Sequence, residues 1–262
     1  MSENYSCKDP YETSLNALLS YLKNEAPSTG FAVGSKGEGE NRTHGLALCR
    51  GDLSPMDCSN CVEQAINDML KDCPYNKVAM ILHEDCTVEY SNEDYFGQTM
   101  HNSMLCLTST NNVSDPSPEW FDQKTQEFLS IISQEAVLDP NLYATGKSEI
   151  DEYSTIYGYA QCNRDLSRMD CNECLNDSLA YLKACDEKKE GVRVYSGICR
   201  VRYEIYPFLH DEHSSTPPPT SSPTPDANSP YPAPEDGSAH GLETGIFIFI
   251  GLLSLFSTHC VI

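Results

Sequence analysis

The chain reads as an α+β protein of two tandem domains, each built from two helices and several antiparallel strands, followed by a disordered Pro-rich stalk and a hydrophobic tail. Three observations lead there. CRGDLSPMDCSNC, from Cys49, returns as CNRDLSRMDCNEC, from Cys162, and every cysteine of the C-x8-C-x2-C pattern moves by 113 positions. Self-similarity at a fixed offset marks a duplicated structural unit. Helix and strand periodicities follow one another in the same order around both copies, and at Asp211 the composition changes abruptly. These divide the chain into 1–104, 105–210, a stalk over 211–240 and a tail over 241–262.

In the first unit YETSLNALLSYLKNEA places Leu15, Leu18, Leu19 and Leu22 on one helical face. The polar, Gly-rich GSKGEGENRTHG predicts a hairpin loop, and GLALCRGD the strand after it. After Cys58 a second helix carries Cys61, Val62, Ala65, Ile66, Met69, Leu70 and Cys73 at the same spacing. NKVAMILHEDCTVEYSN, with β-branched and aromatic residues around Cys86, predicts two strands. The second unit repeats this order: EWFDQKTQEFLSIISQEA as a helix, STIYGYAQCNRD as a strand, CNECLNDSLAYLKAC as a helix with Leu175, Leu179 and Leu182, and GVRVYSGICRVRYEIYPF as a strand pair.

DEHSSTPPPTSSPTPDANSPYPAPED holds eight of the chain's 16 prolines and almost no large apolar side chain, so it cannot bury enough surface to fold. An extended stalk with polyproline II character is expected. From Ile246 to Ile262 seventeen mostly apolar residues follow, with no Lys or Arg behind them. Small residues at Asp236, Gly237, Ser238 and Ala239, a polar spacer and an apolar end predict a glycosylphosphatidylinositol attachment signal, with a membrane span as the alternative.

A formal charge of -22, from 39 acidic against 17 basic residues, excludes function by neutralising nucleic-acid phosphates and argues against adhesion to anionic lipid. Thirteen cysteines, with glycosylation sequons at Asn4, Asn41, Asn112 and Asn176, place the chain outside the cytosol. MSENYSCKDP has no apolar h-region, so a signal peptide is absent from the sequence as given.

A repeated C-x-x-C permits a metal site, a redox centre or a disulfide framework. Zinc needs two close pairs or matching histidines, and each unit offers one pair. A thioredoxin-like motif would lack the third cysteine upstream. Counting favours disulfides: Cys7, Cys49, Cys58, Cys61, Cys73 and Cys86 form one set of six, and Cys106, Cys162, Cys171, Cys174, Cys185 and Cys199 another. Cys260 lies in the tail. Six cysteines allow 15 pairings, and spacing does not choose among them.

The motif, with GLALCRGDLSPMDC, IYGYAQCNRDLSRMDC and the closing phrases VEYSNEDYFG and VRYEIYPF, resembles the plant ginkbilobin-homologous, or stress-antifungal, domain over both units. The resemblance implies two helices packed on an antiparallel sheet of about five strands, with three disulfides per domain. It implies the pairs Cys49–Cys58, Cys61–Cys86 and Cys7–Cys73, then Cys162–Cys171, Cys174–Cys199 and Cys106–Cys185. The wide loops closed at Cys7 and Cys106 would each stabilise by roughly 3 to 4 kcal/mol.

Tandem copies occur in cysteine-rich receptor-like kinases, plasmodesmata-located proteins and secreted repeat proteins. No kinase signature follows the stalk, and no phosphate loop, nucleophile elbow or histidine–carboxylate cluster recurs in both units. His83-Glu84-Asp85 reads as solvated strand polarity. The expectation is therefore a non-enzymatic, membrane-tethered extracellular module of the plant cell surface, at plasmodesmata or elsewhere on the plasma membrane, serving cell-to-cell communication or defence signalling. Its partners would be other cell-surface or cell-wall proteins, homologous tandem-domain proteins among them, cell-wall glycan, and the membrane through the C-terminal tail, with no nucleic acid, metal or cofactor. The alternative is a mannose-binding antifungal lectin. Ginkbilobin-like members hold mannose through an Asn, an Arg and a Glu; those places are Leu107, Arg193 and Glu204 in the second unit, and Lys8, Met80 and Ser91 in the first. An Arg and a Glu on neighbouring strands also suit a cross-strand ion pair.

Overall fold

The computed structural model describes residues 4–98, 104–113, 117–151, 154–185 and 188–210. The stalk, the apolar tail, Asp236, Gly237 and Ser238 lie outside them.

The first domain runs α1 (Pro10–Thr29), β1 (Phe31–Lys36), β2 (Thr43–Cys49), α2 (Pro55–Asp72), β3 (Ala79–Leu82) and β4 (Cys86–Ser91). The second runs β5 (Leu105–Thr108), α3 (Pro118–Leu138), β6 (Tyr143–Glu149), β7 (Thr155–Cys162), α4 (Arg168–Cys185), β8 (Gly191–Tyr195) and β9 (Cys199–Glu204). All strand pairings are antiparallel, in the orders β1-β2-β4-β3 and β5-β8-β9-β7-β6.

Local chemistry fixes the helix ends. Asp9 accepts a hydrogen bond from the Tyr11 N–H at 2.9 Å, Pro10 occupies the first turn, and Gly30 closes α1 in the left-handed region at φ 78. The repeated Ser-x-x-Asp of DLSPMDC and DLSRMDC caps the helix that follows. Ser54 Oγ accepts from Asp57 N–H while donating to the Asp57 carboxylate, and Ser167 and Asp170 repeat the exchange. Hence α2 and α4 begin three residues before Cys58 and Cys171 rather than after them.

Each sheet puts one face against its helices. In the first domain Leu15, Leu18, Leu22, Val62, Ala65 and Met69 pack on Ala47, Ile81, Val88 and Tyr90; in the second Phe121, Leu129, Ile132 and Leu175 pack on Ile156, Ala160, Val194, Val201 and Tyr203. Disulfides join Cys49–Cys58, Cys61–Cys86, Cys106–Cys185, Cys162–Cys171 and Cys174–Cys199, the pairs the family resemblance implied at those positions.

Sheets of four and five strands agree with the expected antiparallel sheet of about five, but one expectation for the first domain fails: Cys7 is a free, exposed thiol rather than the partner of Cys73, which is itself disulfide-bonded. The cause is spacing. Cys106 sits on edge strand β5, twelve residues ahead of α3, whereas Cys7 sits three ahead of α1. A residue so close to the helix start lies in the turn that enters it, where Asp9 N–H bonds the Ser6 carbonyl and Lys8 takes a positive φ of 65. Tyr5, bonded to the Tyr75 carbonyl, and the bridge from Asn4 to Asn76 match Val113, bonded to the Lys188 carbonyl, and the bridge from Asn112 to Lys189, which in the second domain follow β5.

Candidate functional site: the seam between the domains

Strand alternation gives each sheet a second face, pointing away from its helices. On the first sheet that face carries Leu46, Leu48, Met80, Thr87 and Glu89; on the second, Tyr159, Gln161, Tyr195, Arg200 and Arg202. All are buried, none of them more than 8% exposed. Hydrogen bonds cross from one domain to the other. Gln161 Nε2 donates to the Cys49 carbonyl at 2.9 Å, Gly97 N–H to Asp165 Oδ2 at 2.9 Å, His210 N–H to Asp52 Oδ2 at 2.7 Å, and Arg164 Nη1 to the Thr29 carbonyl. The ring of Tyr143 lies where a Cβ on Gly51 would stand, 2.3 Å away, so the seam requires glycine there.

Two arginines organise the polar part. Arg50, fully buried, grips Asp52 with Nε and Nη2 and Asp85 with Nη1 at 2.6 Å, and lies about 6 Å from the ring centroids of Tyr159 and Phe208. Arg202, 1% exposed, bonds Glu84 of the first domain, Glu204 at 2.8 Å and Tyr206 Oη at 3.3 Å, with the Phe208 ring 3.8 Å from its guanidinium. Arg193 adds bonds to Glu204 at 3.3 Å and Glu84 at 3.4 Å. Burial pulls the Arg50 guanidinium down, but the hydrogen bond and charge of Asp52, with Asp85, leave it raised. Burial pushes Glu84 up, and the Arg202 and Arg193 charges overcome it, holding the carboxyl below its usual range. Glu89 has a different balance: burial and then the Asp165 charge raise it to about 8.

These contacts reassign several sequence readings. Arg193 and Glu204, the residues read for mannose, are brought together as a cross-strand ion pair inside the seam; Leu107 faces Arg193 across β5 and β8. His83-Glu84-Asp85 is not solvated polarity: Glu84 and Asp85 hold three of the seam's arginines, and His83 pairs with Asp68 at 3.1 Å. Among the described residues Cys61, His83 and Cys86 stand close enough to suggest a metal site, but both sulfurs belong to one disulfide. A cleft of about 320 Å³ beside the seam is lined by Asp57, Gln64, His83, Glu84, Asp85 and His210. Of the sequons, Asn4, Asn112 and Asn176 are exposed and Asn41 is half-buried in a 3-10 turn; Asn112 accepts from Lys189, and Ser178 of the Asn176 sequon is buried against Cys199.

The sequence holds one signal for the seam. LALC in β2 is apolar at successive positions, the mark of a strand covered on both faces. The repeats also diverge at seam positions: Met80, Thr87, Glu89 and Ser91 correspond to Arg193, Arg200, Arg202 and Glu204.

Two cross-linked α+β domains, joined face to face through their sheets, define a tandem disulfide-stapled ectodomain. The family model described as salt stress response/antifungal, Stress-antifung, matches residues 1–93 and 105–206, and the chain belongs to that family. It is 42% identical to the antimicrobial ginkbilobin-2-like protein of Castanea crenata, over 79% of this chain and 85% of that one, and 41% identical to cysteine-rich repeat secretory protein 38 of Arabidopsis thaliana, over 79% and 81%. Cysteine-rich receptor-like protein kinase 25 of Arabidopsis thaliana is 36% identical, with the match confined to 33% of its length. Among solved structures, the tandem DUF26 ectodomain of the Arabidopsis thaliana cysteine-rich receptor-like protein PDLP8 superposes with a TM-score of 0.67 at 26% identity, covering 78% of this chain and 95% of that one. The chain is thus a tandem-domain member of a plant family of cysteine-rich secreted and receptor ectodomains. Among the described residues no helix is long and apolar enough to cross a membrane.

Proposed function

We propose that the chain is a non-enzymatic recognition module of the plant cell surface, tethered through its C-terminal tail and acting on other surface or wall proteins in cell-to-cell communication or defence signalling. The observation that supports this reading is the seam. Arg193 and Arg202 of the second domain engage Glu84 of the first, which suits these groups to holding two stapled domains in one arrangement rather than to turning over a substrate. The same engagement weighs against the lectin, since a sugar at Arg193 and Glu204 would have to displace a buried ion pair.

The test is proximity labelling in plant tissue with the full chain fused to a secretory leader and a labelling enzyme. Labelling of plasma-membrane and wall proteins is expected, with enrichment at plasmodesmata for the finer localisation; a label confined to cytosolic proteins refutes it. Phosphatidylinositol-specific phospholipase C separates the two tethers, because only a lipid-anchored chain is released. Glycan-array binding that disappears in Arg193→Ala would restore the lectin.

A further inference from the structure

β6 ends one side of the second sheet: it pairs with β7, and among the described residues no strand lies along its other edge. The ladder shows which backbone groups that edge presents. Cys162 N–H donates to the Leu142 carbonyl and Ile150 N–H to the Ser154 carbonyl, so even-numbered residues turn their backbone groups toward β7. Thr145, Lys147 and Glu149 therefore turn theirs outward. Side chains alternate in step. A Cβ on Gly146 would meet Phe128 and Ile132, so even positions face the helices, while Thr145, Lys147 and Glu149 are exposed on the opposite face.

An open edge is a template for another strand. Two copies related by a two-fold axis pair antiparallel only where outward groups meet outward groups, so odd residues must face odd residues. One such register sets Lys147 opposite Glu149 and, by symmetry, Glu149 opposite Lys147. The two adjacent allowed registers set Lys147 against Lys147 or Glu149 against Glu149, which like-charge repulsion disfavours. The other long edge, β1, carries Lys36 as its one charge and offers no such complement, and edge strands β3 and β5 have four residues each. Beside β6 on the helix face lies a groove of about 320 Å³, lined by Phe128, Ile131, Ile132, Gly146 and Ser148, with Ile131 56% exposed. Extending the sheet through β6 brings a second α3 alongside this groove and covers Ile131.

We propose that two copies of this chain associate edge to edge through β6, in the antiparallel register that faces Lys147 with Glu149. This narrows the partner class of the proposed function to a second copy; surface labelling and self-association are read separately, so either can fail alone. The test is sedimentation velocity of the full chain in mild detergent over a concentration series. A reversible dimer is expected, weakened about tenfold or more by Lys147→Glu and likewise by Glu149→Lys, and restored to within about threefold of the original by the double exchange. Both residues are exposed, and thermal unfolding checks that each variant folds. A chain that stays monomeric, single variants that bind as tightly as the original, or a double exchange as weak as the single variants each overturn the proposal.

Discussion

Replacing Glu89 by glutamine should remove a pH dependence built into the seam. Glu89 is 4% exposed on the outward face of β4, with Leu46 and Met80 as its cross-strand neighbours and Asp165 of the other domain opposing its ionisation. Burial first and the Asp165 charge second raise the carboxyl from 4.5 to about 8. The unfolded chain gives up this proton near the ordinary carboxylate range while the folded chain keeps it, so the folded state binds more protons through that window. Stability therefore falls as pH rises from about 4.5 and levels off above about 8. At 1.36 kcal/mol per unit of displacement, the loss is about 3 kcal/mol by pH 7 and on the order of 5 kcal/mol at the plateau. Urea unfolding of the original and Glu89→Gln chains from pH 5 to pH 9 should give curves that converge at the acid end and separate upward, with the variant the more stable at pH 8. Glu84, held below its usual range, loses its contribution only on the acid side of this window, and it does so in both chains. A variant that keeps the full slope, or an original chain that gains stability from pH 5 to pH 8, refutes the reasoning.

Three further outcomes follow from the same contacts. Arg202→Ala leaves Glu84 and Glu204 without their closest guanidinium and should cost about 3 to 5 kcal/mol in chemical denaturation, while Arg202→Met, which keeps a side chain against Phe208 but no charge, should show the same direction. Gly51→Ala drives a methyl into the Tyr143 ring and should cost about 1 to 3 kcal/mol; an unchanged unfolding midpoint would mean that the ring swings aside. Replacing Cys106 and Cys185 together by serine opens a loop with a separation of 79 and should cost about 4 kcal/mol, against about 3 kcal/mol for the Cys49–Cys58 pair with a separation of 9.

What the sequence disclosed was local or periodic. Leu15, Leu18, Leu19 and Leu22 announce α1 because burial on one helical face repeats at fixed spacing, and the C-x8-C-x2-C copies announce the duplication because a strand-to-helix corner is built within a dozen residues. The Cys7–Cys73 expectation came from the family resemblance, carried over in cysteine order, and that order does not register that Cys7 stands too close to α1 to take the place Cys106 has on β5. The seam stayed hidden because spacing states which residues share a face but not what covers that face. Arg202 and Glu84 are 118 positions apart, and each alone looks like an ordinary charged residue of a solvated strand or turn.

The two corners that reveal the duplication also show why the domains are not interchangeable. Arg50 of CRGD folds back on Asp52 and presents its flat face to Tyr159 and Phe208, while at the matching place CNRD has Asn163, whose amide donates to the Gly197 carbonyl within its own domain. Asp52 receives the His210 N–H from the end of the second domain, whereas Asp165 receives the Gly97 N–H from the end of the first. Both corners thus anchor the segment that leaves the other domain, yet only the first adds a buried guanidinium. Glu84 of the first domain meets Arg202 and Arg193 of the second, and the first-domain positions matching those arginines are Glu89 and Met80, so the charge pairing runs one way only. Burial of Arg50, Arg193 and Arg202 is tolerable because each has a carboxylate partner. Helix-facing positions had to stay apolar in both copies, so the freedom to diverge lay on the outward faces, and that divergence turned two similar domains into a matched pair.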